Sequence, residues 1–307
     1  MFRFLIIITF FYTFIFASEP IIPLPQKVEY DKPKAMLGKK LFFDPILSKD
    51  KTVACNSCHN LAKGGADCKE VSHGVMGKLG NIQAPTVYNA RYNFKQFWNG
   101  RADNLTEQAN GPINNPNEHD MNPKLIEQRL NASQSYKKLF KEVFGVDYIK
   151  YKDVINAIVE FEKALVTPNS KFDRYLRGEI KLSEKEQKGY TLFKQYGCIT
   201  CHNGINIGGN SFQKMGLFFP YDSNKSYPDR AMLMKDKHYK NVFKVPTLRN
   251  IALTAPYFHD GSAKTLHKAV EKMSYHNLGI EITSEDADKI VAFLKTLTGI
   301  KPEIANR

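Results

Sequence analysis

The sequence predicts a mostly α-helical chain built from two copies of one module in tandem. Three observations carry that expectation: an internal repeat across nearly the whole chain, apolar residues at helical spacing in both copies, and scarce strand-like alternation.

The repeat is plainest in the middle of each copy. Ala84-Pro85-Thr86-Val87-Tyr88-Asn89 mirrors Val245-Pro246-Thr247-Leu248-Arg249-Asn250 at an offset of 161 residues. At the same offset Phe97-Trp98-Asn99-Gly100 mirrors Phe258-His259-Asp260-Gly261, and Leu105 mirrors Leu266. Upstream, each copy carries Gly-x-x-Leu-Phe, at Gly38/Leu41/Phe42 and Gly189/Leu192/Phe193, which reads as a helix. Near each end, Ile158, Val159, Phe161 and Leu165 correspond to Ile290, Val291, Phe293 and Leu297, so each copy should close with an amphipathic helix. The copies join near Thr167-Pro168-Asn169-Ser170 and a charged stretch over 171–185, which gives domains of 19–166 and 167–307.

The first residues read as an address. Arg3 precedes an uncharged apolar run of 14 residues, Phe4 to Ala17, short for a bilayer span and typical of a signal-peptide core. Residues 1–18 are therefore expected to be a signal peptide, with an uncleaved anchor as the alternative. The whole chain has 307 residues, 42% hydrophobic and 24% charged, which excludes a disordered, collagen-like or polytopic membrane protein. Its net charge of +13 is spread out, and no basic-aromatic motif appears, so no nucleic acid is expected as a partner.

Each copy contains a C-x-x-C-H motif, Cys55-Asn56-Ser57-Cys58-His59 and Cys198-Ile199-Thr200-Cys201-His202. Two thiols three positions apart reach the two vinyl groups of one porphyrin, and the adjacent imidazole becomes an axial iron ligand. Chance would supply such a motif only ~0.002 times in a chain of this composition. A redox-active thiol pair or half a zinc site explains neither trailing histidine. Two covalently bound haem c groups follow, as do two cytochrome-c-like haem domains, outside the cytoplasm.

The two irons should differ in their sixth ligand. Met273 follows His202 in the second copy, whereas at the offset of 161 the first copy has Pro112, which cannot ligate iron. Met215, Met232 and Met234 compete with Met273. In the first copy His73, in Ser72-His73-Gly74, is the candidate distal and displaceable ligand. A turn-rich insertion, Ile113 to Met121, brings Glu118, His119 and Asp120 near that iron, where proton handling at an oxygen ligand needs such groups. A methionine ligand raises a haem's potential relative to a bis-histidine or open one.

These stretches, with Phe94-x-Gln96-Phe97-Trp98, Gly111 to Pro116 and Pro256 to Ser262, resemble the bacterial dihaem cytochrome c peroxidases from about Leu37 to Gly299. The resemblance implies hydrogen peroxide reduction in the periplasm, with electrons from a small cytochrome c or azurin-like donor protein. It implies a low-potential N-terminal haem with His59 proximal and His73 distal, and a high-potential C-terminal haem held by His202 and Met273. It makes Glu118 the catalytic acid-base with Gln108 beside it, and puts Trp98 on the electron route between the haems. It also implies a homodimer and an inter-domain Ca²⁺ with Asn81, Thr254 and Pro256 as ligands. Cys68 stands where a small, unreactive residue is expected, and His119 where an apolar one is; neither receives a role.

Two other readings remain. A plain dihaem electron carrier has no use for Glu118. A protein-modifying dihaem oxidase, of the kind that matures a tryptophan-derived quinone, replaces the distal methionine with tyrosine. Met273 opposes that reading, while Tyr257 and Tyr275 nearby keep it open.

Overall fold

The computed structural model describes residues 19–223 and 227–306; the signal peptide expected at 1–18 lies outside them. The first module contains α1 (Lys32–Phe43), the single turn α2 (Cys55–Cys58), α3 (Leu105–Asn114), α4 (Pro123–Asn131), α5 (Gln134–Phe144) and α6 (Tyr151–Ala164). The second contains α7 (Lys171–Leu176), α8 (Glu184–Gln195), α9 (Arg230–Met234), α10 (Leu266–Met273) and α11 (Ser284–Lys295). Strand β1 (Phe212–Lys214) pairs antiparallel with β2 (Val242–Lys244), Phe212 opposite Lys244. The chain is mostly helical, as its periodicity predicts.

Helix starts are written in the sequence. Asp31, Asn104, Ser183, Thr265 and Thr283 each accept a hydrogen bond from a backbone N–H of the helix that follows, satisfying a donor the helix leaves orphaned. Ser183 and Glu186 close a full capping box.

The Gly-x-x-Leu-Phe repeat marks a helix crossing in each module. Helix α1 packs on α6 so closely that a Cβ on Gly38 would lie 1.8 Å from the Ala157 carbonyl oxygen. Helix α8 packs on α11 the same way, where a Cβ on Gly189 would lie 1.9 Å from the Lys289 oxygen. Only glycine permits either approach, because interiors are close-packed. Beside each glycine the paired phenylalanines meet, Phe42 with Phe161 at 5.2 Å and Phe193 with Phe293 at 5.1 Å between centroids.

The repeated asparagines knit the modules together. Asn89 and Asn250, both with left-handed backbones, donate through Nδ2 to Thr167 Oγ1 at 2.9 and 2.8 Å. The chain also laces across. Ile21 joins the core of the second module with Phe172, Tyr190 and Phe293, whereas Ala305 joins a cluster of the first with Phe42, Val87 and Phe161. Glu19 to Leu24 therefore lie on the second module, although sequence alone groups 19–166 together.

The charged joint over 171–185 is not simply solvated. Phe172 and Asp173 are fully buried, and Arg249 Nη1 meets Asp173 Oδ1 at 2.9 Å. Arg249 also donates to the carbonyls of Ile205 and Ile22, so this buried cation has its hydrogen bonds satisfied.

Candidate functional site

Two large cavities, both open to solvent, flank the haem-binding motifs, one beside each. The first has about 1350 Å³ of atom-free space including its open mouth, with Cys58, His59, Gln108, Glu118 and Arg101 on its walls. Helix α2 presents His59, whose Nδ1 lies 3.4 Å from the Gly65 carbonyl oxygen. Burial holds the His59 pKa below its ordinary value, which favours the neutral ring, the form that ligates iron.

Glu118 stands on the wall of this cavity, held by Asn115 Nδ2, which donates to its Oε1 at 2.6 Å. Burial raises its pKa above the ordinary carboxylate range; the Asn115 hydrogen bond and the positive charge of Arg101 oppose that rise without cancelling it. A smaller adjoining cavity brings Cys55, His59, Gln108, Glu118 and His119 together. His119 is buried, with Nδ1 3.0 Å from the Leu47 carbonyl oxygen. That contact ties the segment carrying Glu118 to the one leading into the first motif.

The insertion begins later than its turn-forming residues suggest. Helix α3 runs through Pro112 to Asn114. Pro112 has no N–H to give back along the helix, but its carbonyl accepts from His119 N at 3.2 Å, and Ile113 O accepts from Met121 N at 2.9 Å. The turn thereby folds back onto the helix end and carries Glu118 with it.

The second cavity has about 1150 Å³ of atom-free space and is lined by Cys198, His202, Met273 and mostly apolar side chains. Burial pushes the His202 imidazole down to about 4, although the nearby Ile207 and Pro246 carbonyls raise it somewhat. Its Nδ1 is buried without closing a hydrogen bond among the described residues. Met273 ends helix α10 and packs near Trp98 and Phe258. Met232 and Met234 are exposed, and Met215 is buried but lies off the cavity wall. Tyr257 lines the cavity; Tyr275 instead stacks on Phe219 at 4.5 Å near the surface.

Trp98 belongs to both cavities. Its Nε1 donates to the Gln83 carbonyl at 2.8 Å, and its carbonyl accepts from Lys244 N at 2.7 Å. The repeat explains its neighbour. Phe97 and Phe258 both adopt positive φ, and equivalent bridges, Gln96 with Ala102 and Tyr257 with Ala263, close the two loops. The equivalent rings of Trp98 and His259 then meet edge-on at 6.2 Å.

His73 does not reach the first cavity: its ring is exposed, with Nδ1 3.4 Å from Lys69 Nζ. Its neighbours Ser72 and Gly74 do line the wall. Asn81 lines the first cavity, whereas Thr254 and Pro256 line the second, and Gln83 N bonds His259 O at 2.9 Å between their loops. No cluster of three His, Cys, Asp or Glu able to hold a metal occurs among the described residues. Cys68 is half-buried, its Sγ near the carbonyls of Lys63 and Leu253.

Three wall residues were not singled out from sequence: Arg101, Glu162 and Lys244. Glu162 occupies the place that Leu294 holds in the other copy, so a carboxylate inside an apolar helical stripe was the available signal. Burial pushes Glu162 up to about 8, and its Oε2 has no partner among the described residues.

The model for di-haem cytochrome c peroxidase matches residues 32–181, and that for cytochrome c matches 186–298. A cytochrome c551 peroxidase of Nitrosomonas europaea is 48% identical over 288 residues, covering 94% of this chain and 86% of its own. The chain belongs to the di-haem cytochrome c peroxidase family. A second such peroxidase, from Pseudomonas aeruginosa, is 40% identical over 300 residues, 94% of this chain and 87% of that one. Among solved structures, a MauG-like protein associated with microbial copper homeostasis superposes with a TM-score of 0.80 at 26% identity, covering 94% and 96% of the two chains.

This peroxidase is thus a haem c oxidoreductase with a peroxidase domain followed by a cytochrome c domain. Its residues fit the cofactor. Each motif's histidine is half-buried on a cavity wall, and the His202 Nδ1 is buried without a hydrogen bond among the described residues.

Proposed function

We propose that this protein reduces hydrogen peroxide to two waters with two electrons taken singly from a small donor protein, a cytochrome c or an azurin-like copper protein. The observation that carries the reading is Glu118, a half-buried carboxylate of raised pKa on the wall shared with His59. When bound, the haem at Cys55, Cys58 and His59 supplies the iron where the O–O bond breaks, and the one at Cys198, Cys201, His202 and Met273 supplies a stored electron.

Glu118 takes the proton from one peroxide oxygen and returns it to the other, which leaves as water. Its raised pKa suits that exchange, since a proton shuttle works best near the working pH. Gln108, on the same wall, orients the peroxide, and Asn115 fixes Glu118 Oε1. Arg101, on that wall too, favours negative charge developing on the oxygens. Trp98, common to both cavities, is the side chain through which electrons pass between them. His73, exposed next to the wall residues Ser72 and Gly74, would serve as the displaceable distal ligand of the first haem.

Asn81, Thr254 and Pro256 hold Ca²⁺ between the modules through amide and carbonyl oxygens, which suit that hard cation. Arg3 and the apolar run Phe4–Ala17 support export to the periplasm, and the family resemblance supports a homodimer. Stoichiometry tests the reading directly. Each peroxide consumed should oxidise two equivalents of ferrous cytochrome c, and chelation of Ca²⁺ should slow turnover; no donor oxidation by peroxide would overturn it.

A further inference from the structure

We propose that Lys244 is the counter-charge of the second haem: its ammonium pairs with a propionate carboxylate of that haem and holds its reduction potential up. The inference rests on haem occupancy of the second motif.

Lysine is almost never fully buried unless paired. Lys244 keeps only 6% of its surface. Its backbone is fixed where β2 meets the inter-cavity wall, through Lys244 N to Trp98 O at 2.7 Å. Its Nζ makes no hydrogen bond or ion pair among the described residues, and desolvation alone draws its pKa down to about 8. A cation this nearly buried and given no partner by the protein is costly, so this site calls for an anion.

The protein does not provide one in the second cavity. No Asp or Glu lines it, and Lys244 is its one formally charged side chain. The anion must arrive with the occupant, and the acids of a haem are its two propionates. The first cavity differs, because Arg101, Glu118 and Glu162 share its walls.

The repeat sharpens the point. At the offset of 161, Lys244 corresponds to Gln83, which lines the same two cavities without a charge. The cation is thus particular to the second copy. A positive charge beside a haem disfavours the ferric state, which carries one more positive charge than the ferrous. Lys244 therefore raises the second potential separately from Met273 ligation.

Holoprotein of wild type, K244Q and K244R would be titrated spectroelectrochemically, with haem content counted by pyridine haemochrome. Resonance Raman spectra of half-reduced protein would report the propionate bending mode. In K244Q the ferric/ferrous equilibrium of the second haem should shift at least tenfold toward ferric, a fall of about 59 mV for one electron. K244R should stay within threefold of wild type, with a displaced propionate mode because a guanidinium replaces the ammonium. Two haems with an unmoved second potential in K244Q, or a fall confined to the first haem, would overturn the proposal alone. Should K244Q fail to accumulate, an unchanged propionate mode in K244R would overturn it equally. Fewer than two haems per wild-type chain would remove the cofactor reading and this proposal with it.

Discussion

Asn115 Nδ2 donates to Glu118 Oε1 at 2.6 Å, so the one carboxylate oxygen is tethered while the other has no hydrogen bond among the described residues. That bond favours the ionised form, against the burial that favours the neutral one. Removing it should let burial win further. In Asn115→Ala the Glu118 pKa rises, and the acid limb of kcat/KM for peroxide moves to higher pH by about one unit. A pH profile of the two proteins reads this. An unmoved limb would mean that another group controls it.

His73 is exposed, away from the first cavity, so its proposed role as a displaceable ligand calls for a direct test. If His73 is the displaceable ligand, oxidised wild type shows a low-spin first haem that turns high-spin in His73→Ala, with the second haem's spectrum unchanged. Electron paramagnetic resonance resolves the two. The same low-spin signal in the variant would assign the sixth ligand elsewhere.

Much of this arrangement was legible in the sequence because the repeat is a packing constraint. Gly38 and Gly189 are glycines for one reason, a carbonyl under 2 Å from the Cβ that each lacks, so the helix crossings are visible as a motif. The cavity positions of His59, His202 and Met273 follow from the motifs and the offset. What stayed hidden depends on burial across long sequence separations. Nothing local tells that Asp173 meets Arg249, or that Ile21 packs with Phe293. The insertion expected from Ile113 starts inside α3, whose end carbonyls at Pro112 and Ile113 are satisfied by the returning turn, a long-range closure the local residues do not announce. His73 is one residue away from two wall residues, and sequence cannot say which way its ring turns.

Glu162 should make stability depend on pH. The unfolded chain ionises it near 4.5, whereas burial keeps it protonated in the folded protein to about 8. The folded form binds the extra proton between those values, so its contribution is full below 4.5 and is lost as pH rises toward 8. In Glu162→Gln that slope flattens, and the variant gains up to about 5 kcal/mol on wild type at pH 8. Denaturant titrations at pH 5 and pH 8 compare them. Equal slopes would mean that Glu162 finds a partner in the holoprotein.

The Asp173–Arg249 pair tests how the charged joint over 171–185 is anchored to the second module. Asp173→Ala leaves Arg249 buried without its carboxylate and also frees Leu24 N, which Asp173 Oδ1 accepts from at 3.1 Å. A loss of about 3–5 kcal/mol is expected by denaturant unfolding, since breaking one side of a buried pair strands the other charge. A loss under 1 kcal/mol would show that water reaches Arg249.

The most direct measurement is the oxidation of ferrous cytochrome c by hydrogen peroxide, catalysed by holoprotein with the second haem pre-reduced and Ca²⁺ present, beside Glu118→Gln. Glutamine keeps the shape but cannot carry the proton. Turnover in wild type that falls at least 100-fold in the variant, with both haems and the fold retained, is the predicted result. Equal turnover in the two proteins would contradict the role given to Glu118. No turnover with several donors, and both irons six-coordinate throughout, would leave an electron carrier instead.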